Sequence, residues 1–253
     1  MGAATVGLLH PGEMGAALGA ALRGRGQTVV WASAGRSDAT AGHANAAGLE
    51  DVVSTAELAR RSEIILSVCP PHAASEVARS VGAYDGIFVD ANAIAPATTR
   101  AIGGGVARYV DGGIIGPPPR SPGTTRLYLS GPEAATAAAL FARTPVDARV
   151  LSAEIGDASA LKMVYAAWTK GTAALLLAIR EVAGANGVED ALLAEWEASL
   201  PELPEQSQRA VASAAAKGWR WVAEMEEIAA TFALAGQPDG FHRAAAEVFR
   251  RSK

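Results

Sequence analysis

Short apolar runs alternate with amphipathic segments over the first 150 or so residues of the chain, and beyond that point only helical periodicity remains. Runs at 5–9, 28–31, 51–53, 63–69, 86–90, 109–115, 126–130 and 148–151 predict strands. Ile64-Ile65-Leu66 and Ile87-Phe88-Val89 are apolar without interruption, as strands covered on both faces of a parallel sheet require. Helical segments are expected from the turn after residue 9 to about 25, at 55–61, at 71–81, from Pro96, and at 132–143. This order predicts an α/β fold with a Rossmann-type, mostly parallel sheet over 1–153. A second, all-helical domain is expected over 154–253, with helices at 156–184, 189–199, 205–235 and 241–250 set off by Gly184, Gly187, Pro201 and Pro204.

The helix predicted over 156–184 organises the rest. Leu161, Val164, Trp168, Leu175, Ile179 and Val182 form an apolar stripe expected to be buried against partner helices. Lys162 lies off that stripe. At about 100° per residue it shares its face with Ala158, Ser159, Ala166, Thr169 and Ala173, a track of small side chains that something flat could approach.

Composition narrows the picture. The 253 residues suffice for a large core or two domains. No apolar run is long enough to span a bilayer, and a net charge of −4 gives no electrostatic case for nucleic acid, so neither membrane nor nucleic acid is expected as a partner. The one cysteine, Cys69, excludes an internal disulfide framework and a cysteine-rich metal site, and no metal is expected. The N-terminus has no basic flank or cleavage pattern, and Val6 stands where a myristoylation signal wants Ser or Thr, which makes the cytoplasm the expected compartment.

Candidate chemistry starts at the first turn, where residues 5–9 run into His10-Pro11-Gly12-Glu13-Met14-Gly15 and then a helix. Gly12 lets a backbone approach a phosphate, Gly15 lets the helix pack on the strand, and the helix N-terminus presents free N–H groups to an anion such as a dinucleotide pyrophosphate. His10 replaces the first glycine of G-x-G-x-x-G, and Pro11 pre-sets φ for the turn. The second strand ends in Ala32-Ser33-Ala34-Gly35-Arg36-Ser37, with no carboxylate before Asp38. An Arg and two hydroxyls suit a 2′-phosphate, which favours NADP over the alternative, NAD. Cys69-Pro70-Pro71-His72 and Asp90-Ala91-Asn92-Ala93 end later strands and are therefore expected beside the cofactor. Cys69 is read as packing rather than reacting.

These motifs resemble those of the β-hydroxyacid dehydrogenases, which include 3-hydroxyisobutyrate and 6-phosphogluconate dehydrogenases. VGLLHPGEMG is similar to their VGFIGLGxMG opening, the stretch from Asp90 to Pro96 to their D-x-S-T-x-x-P, and the stretch from Gly156 to Lys162 to their G-x-G-x-x-x-K. The text ALKMVYAAWTKG and RWVAEMEEIA resembles a branch whose C-terminal domain is described only as phosphogluconate-dehydrogenase-like. Cofactor contacts are therefore expected from His10, Pro11, Gly12, Glu13, Met14, Ser33, Arg36, Cys69, Pro70 and Asn92, and the resemblance implies that Lys162 is the general acid or base while hydride passes between substrate carbon and nicotinamide.

Departures from the family pattern fall on the substrate side. The substrate loop D-x-P-V-S-G-G reads Asp111-Gly112-Gly113-Ile114-Ile115-Gly116-Pro117, so Ile115, beside Gly116, stands for its Ser. Ala166 stands for the Asn four residues after the lysine, Ala158 for the second glycine before it, and Asn92 and Ala93 for the Ser and Thr of D-x-S-T. Lys170 is a further candidate for an anionic substrate group. A small-molecule substrate larger or less polar than a small 3-hydroxy acid is expected. Three readings stay open: a dehydrogenase or reductase acting on hydroxyl or carbonyl, an imine reductase, and a cofactor-binding protein without turnover. Trp196, Trp219, Trp221, Phe232 and Phe241 in a small helical domain lead us to expect a homodimer, as the family commonly forms there.

Overall fold

The computed structural model describes residues 4–252. Strands β1 (Thr5–Leu9), β2 (Thr28–Trp31), β3 (Glu50–Asp51), β4 (Ile64–Ser67), β5 (Ile87–Asp90), β6 (Tyr109–Ile115), β7 (Thr125–Ser130) and β8 (Val146–Ser152) form one sheet in the order β3-β2-β1-β4-β5-β6-β7-β8. Strands β3 to β6 along that order pair in parallel, β7 is antiparallel to β6, and β8 is parallel to β7. The Rossmann-type expectation holds. Helices α1 (Glu13–Arg23), α2 (Asp38–Ala46), α3 (Thr55–Arg61), α4 (Ala74–Ser80), α5 (Pro96–Gly103) and α6 (Ala134–Leu140) connect the strands, and α7 (Asp157–Ala185), α8 (Glu189–Ser199), α9 (Leu203–Leu234) and α10 (Gly240–Arg251) follow.

Alternation along the strands splits the core between the two faces of the sheet. One face buries Val6, Leu8, Trp31, Leu66, Val89 and Leu127, and the other Leu9, Val30, Ile65, Phe88 and Tyr109. Each large apolar side chain removed from water in this way contributes about 1.5–3 kcal/mol. Register sets one row across the carboxyl ends of the strands. Leu9 pairs with Ser67, Ser67 with Asp90, Asp90 with Asp111, and Asp111 with Ser130. Four polar side chains in that row are buried in a sheet otherwise filled with hydrocarbon.

The chain divides into two compact units, one up to Lys162 and one from Met163 onward, so the boundary lies inside α7 and not in the loop before it. In the second unit, Met225, Ile228 and Ala229 of α9 and Ala245, Ala246 and Phe249 of α10 are buried, and the Trp221 and Phe249 rings meet edge to face at 5.0 Å. Trp196 packs with Leu176 and Ala210. None of the helices among the described residues is long and apolar enough to cross a membrane.

Three elements differ from expectation. Helix α2 is not visible as periodicity because DATAGHANA buries only Ala44; it forms on a local device, the Ser37 side chain accepting from the Thr40 N–H at 3.3 Å. The segment after Pro70 begins as a 3₁₀ turn, Pro71–Ala73, before α4. On α7 the expected stripe is largely outward, with Val164 53%, Trp168 75%, Leu175 46% and Val182 63% exposed. Its buried side carries Ala158, Met163, Ala166, Ala174, Leu176, Leu177 and Ala183. Apolar residues lie on both sides of this helix, and close packing selected the side bearing more alanine.

Candidate functional site

Strand β1 ends in a residue held in the left-handed region, His10, with φ 62°. This is where the glycine fingerprint has its first glycine, and histidine tolerates that conformation better than β-branched residues do. The His10 carbonyl accepts from the Gly12 N–H at 2.8 Å, and a Cβ on Gly15 would stand 2.8 Å from the same oxygen. Gly15 is therefore required where α1 crosses the turn. At Gly12 a Cβ would meet nothing within 4 Å, and no side chain caps α1, so Pro11, Gly12, Glu13 and Met14 form an open turn over the free N–H groups of that helix. Glu13 also faces Arg120 of the proline loop at 3.7 Å.

Arg36, six residues after Val30 in sequence, comes back to hydrogen bond His10 at Nε2. Burial and then the Arg36 charge push the His10 pKa down to about 4, so at neutral pH Nε2 accepts from the guanidinium. Its Nδ1 is buried without a hydrogen-bond partner among the described residues. Beside them, Asp51 of β3 accepts from the Ser33 N–H at 3.2 Å and the Val53 N–H at 2.7 Å. Partial burial acts to raise the Asp51 pKa, but hydrogen bonds from the Ser33 side chain and these N–H groups outweigh it and hold the carboxyl below its usual range. Sequence reasoning missed this carboxylate because it reaches the end of β2 from the neighbouring strand.

At the ends of β4 and β5, Asn92 is 3% exposed and its carboxamide joins two strands. Its Oδ1 accepts from the Cys69 N–H at 2.5 Å and its Nδ2 donates to Ser67 Oγ at 3.1 Å, while its own N–H donates to Asp90 at 3.1 Å. Asn92, expected as a cofactor contact, shapes the two loops that carry Cys69, Pro70 and Ala91. Burial, with the nearby Asp90 charge, pushes the Cys69 thiol up to about 12, in keeping with its expected packing role. Burial likewise raises Asp90 to about 7, against the opposing hydrogen bonds from Asn92 and Tyr109.

Asp111 is fully buried, and five donors converge on it. Oδ1 accepts from Ser159 Oγ at 2.6 Å and Thr99 Oγ1 at 3.4 Å; Oδ2 accepts from Ser130 Oγ at 3.0 Å and from the N–H groups of Gly156 at 3.0 Å and Ser159 at 2.9 Å. The Ala158 N–H donates to Ser130 Oγ at 3.0 Å. Two residues on, a Cβ at Gly113 would stand 2.7 Å from the Ala158 carbonyl and 3.0 Å from Lys162 Cβ. The start of the small-residue track, at Ala158 and Lys162, thus lies against β6, while Thr169 further along it is exposed. Lys162 is partly exposed on the second turn of α7.

The remaining substrate candidates are less accessible than the sequence suggested. Ile115 is 4% exposed and Ala166 fully buried. Gly116 adopts φ 118° where a Cβ would collide with Thr124. Lys170 is ion-paired with Glu224 at 2.9 Å and lies over the Trp221 ring at 5.9 Å, so its charge is already balanced within the helical unit. Among the described residues no group of three or more His, Cys, Asp or Glu is placed to hold a metal.

Comparison with known proteins follows this geometry. Residues 5–93 match the family described as NADP oxidoreductase, coenzyme F420-dependent, and residues 183–252 match a domain of unknown function, DUF1932. A conserved protein of unknown function, whose structure was reported as similar to 3-hydroxyacid dehydrogenases, is 30% identical with TM-score 0.72, over 98% of this chain and 96% of its own. The chain belongs to the β-hydroxyacid dehydrogenase-like family. It falls in the branch whose C-terminal domain has no assigned function. An uncharacterized 28.5 kDa protein of Methanothermus fervidus is 33% identical over 162 residues, a match spanning 63% of this chain and 63% of that relative's length. At the level of fold alone, the family likeness extends to 3-hydroxyisobutyrate dehydrogenase of Mycobacterium tuberculosis, 16% identical with TM-score 0.70 over 98% of this chain and 93% of that one. A reductive aminase of Aspergillus terreus has TM-score 0.61 at 16% identity, over the same shares of the two chains.

Proposed function

We propose that this β-hydroxyacid dehydrogenase-like protein is an NADPH-preferring oxidoreductase that moves hydride to or from a hydroxyl or carbonyl carbon, with Lys162 as general acid or base. The observation that carries the cofactor reading is the His10–Arg36 pair beside the uncapped first turn of α1. The open N–H groups suit a pyrophosphate, and the Arg36 guanidinium suits a 2′-phosphate in a bidentate, charge-assisted way.

When bound, the nicotinamide supplies or accepts the hydride. In oxidation the C–H bond breaks with its electron pair leaving as hydride, and Lys162 takes the hydroxyl proton. In reduction the Lys162 ammonium gives its proton to the oxygen as the carbonyl becomes an alcohol. The same residues suit reduction of a C=N bond, the activity named for the reductive aminase and imine reductase of similar fold.

The test is to add NADPH or NADH with panels of ketoacids, aldehydes and cyclic imines to wild type and Lys162→Ala. Turnover with NADPH on a carbonyl that falls by about 10² or more in Lys162→Ala is expected. Undiminished turnover in that variant overturns the assignment, turnover on imines alone selects the C=N reading, and nucleotide binding without turnover on any panel selects a non-catalytic role. The outward Trp168, Leu175 and Val182 of α7, with Trp219 60% and Phe241 55% exposed, support homodimerisation through the helical unit.

A further inference from the structure

We propose that Asp111 and Gly113 are the positioning residues for Lys162: from one face of β6 they fix where the first two turns of α7 stand. The inference rests on the reading of Lys162 as the acid or base.

The first N–H groups of any α-helix lack intrahelical acceptors, and ordinarily a side chain at the N-cap supplies one. Here the residue before α7 is Gly156, at φ 110°, which has no side chain to offer. The sheet caps the helix instead. Asp111 takes the N–H groups of Gly156 and Ser159, Ser130 takes that of Ala158, and the Ser159 hydroxyl returns to Asp111 at 2.6 Å. A carboxylate at this end also matches the partial positive charge of a 29-residue helix. Thr99, hydrogen-bonded to the Tyr109 hydroxyl at 2.6 Å, extends the network towards Asp90 on the adjoining strand.

Anchoring fixes the start of the helix, and Gly113 fixes its height above the strand. Residues two apart in a strand face the same way, so Gly113 lies on the Asp111 side of β6. Its missing Cβ is what lets the Ala158 carbonyl and the Lys162 stem descend onto the strand. Lys162 follows Ser159 by three residues, less than one turn beyond the anchored N–H. Lengthening either contact moves the amine relative to the carboxyl edge of the sheet without altering any residue at the nucleotide turn. Ala158, noted above as standing for a family glycine, meets Gly113 across this contact.

Asp111→Asn, Gly113→Ala and Lys162→Ala are compared with wild type by steady-state kinetics, by NADPH titration of nucleotide fluorescence and by amide hydrogen exchange. Gly113→Ala and Asp111→Asn are expected to lower kcat by roughly 10–100-fold, as a displacement near 1 Å does, with the NADPH Kd within about twofold of wild type because the nucleotide turn is untouched. The Gly156 and Ser159 amides are expected to exchange about tenfold or more faster in Asp111→Asn, reading the anchor without any substrate. Wild-type kcat in both β6 variants alongside an inactive Lys162→Ala overturns the positioning role while leaving the proposed function standing. Wild-type exchange at Gly156 and Ser159 in Asp111→Asn overturns it as well. An active Lys162→Ala, by contrast, sinks the proposed function itself.

Discussion

His10 and Asp90 titrate in opposite senses, and the pH dependence of stability is expected to show it. The folded pKa of His10 is lowered from 6.5 to about 4, so its contribution is complete above pH 6.5 and is lost as pH falls through 4. Asp90 is raised from 3.8 to about 7, so its contribution is complete below pH 4 and is lost as pH rises through 7, at on the order of 1 kcal/mol per pH unit in between. Between pH 4 and 6.5 the two slopes oppose. In urea unfolding, Asp90→Asn is expected to gain on wild type steadily from pH 4 to 7, and a gap that stays constant across that range contradicts the assignment. Arg36→Ala removes the second cause of the His10 shift, and the His10 ring resonance is expected to titrate higher than in wild type, towards 6.5. Of these groups the sequence singled out His10, Arg36 and Lys162, because each stands at a recognisable offset from a turn or helix. It marked Asp111 only as one letter of a motif, and passed over Asp51, because their partners are 18 to 48 residues away along the chain. One signal was available: a carboxylate inside YVDGGII, a strand with every residue buried, has to be satisfied by donors from elsewhere.

Among the elements, those with an apolar face were read to within a few residues, and α2 was not, since it is held by a cap more than by a core. Ser37→Ala is therefore expected to cost about 1 kcal/mol, concentrated in α2, and hydrogen exchange is expected to rise through 38–46 with little change in β1 or β4. Equal loosening of the whole sheet contradicts that. Since Ser37 follows Arg36 directly, the same substitution is expected to weaken NADPH binding more than NADH binding. In α7 the periodicity was legible but its direction was not. Periodicity marks which residues share a side of a helix; it does not say which side meets the protein when both are apolar.

For the whole molecule, alternating apolar runs were enough to foresee a Rossmann-type sheet followed by helices. They did not foresee that the boundary would enter α7, because the hydrogen bonds that tie its first turn to β6 and β7 have no sequence period. The outward aromatic residues of the helical unit bear on assembly. Trp168→Glu combined with Val182→Glu is expected to shift the sedimentation mass from dimer to monomer with the far-UV spectrum preserved, and a wild type that runs as a monomer at every concentration ends that proposal. The Asn92 bracket gives the chain one more property. It holds the backbone N–H of Cys69, whose half-buried side chain is the sole thiol, so the packing of the β4 and β5 loops sets how fast a sulfhydryl reagent reaches it. Cys69 is in effect a built-in chemical clock. Its labelling half-time is expected to shorten when Asn92 is replaced by Ala and to lengthen when a nucleotide settles across those loops, so occupancy becomes measurable by colour change before any substrate is known.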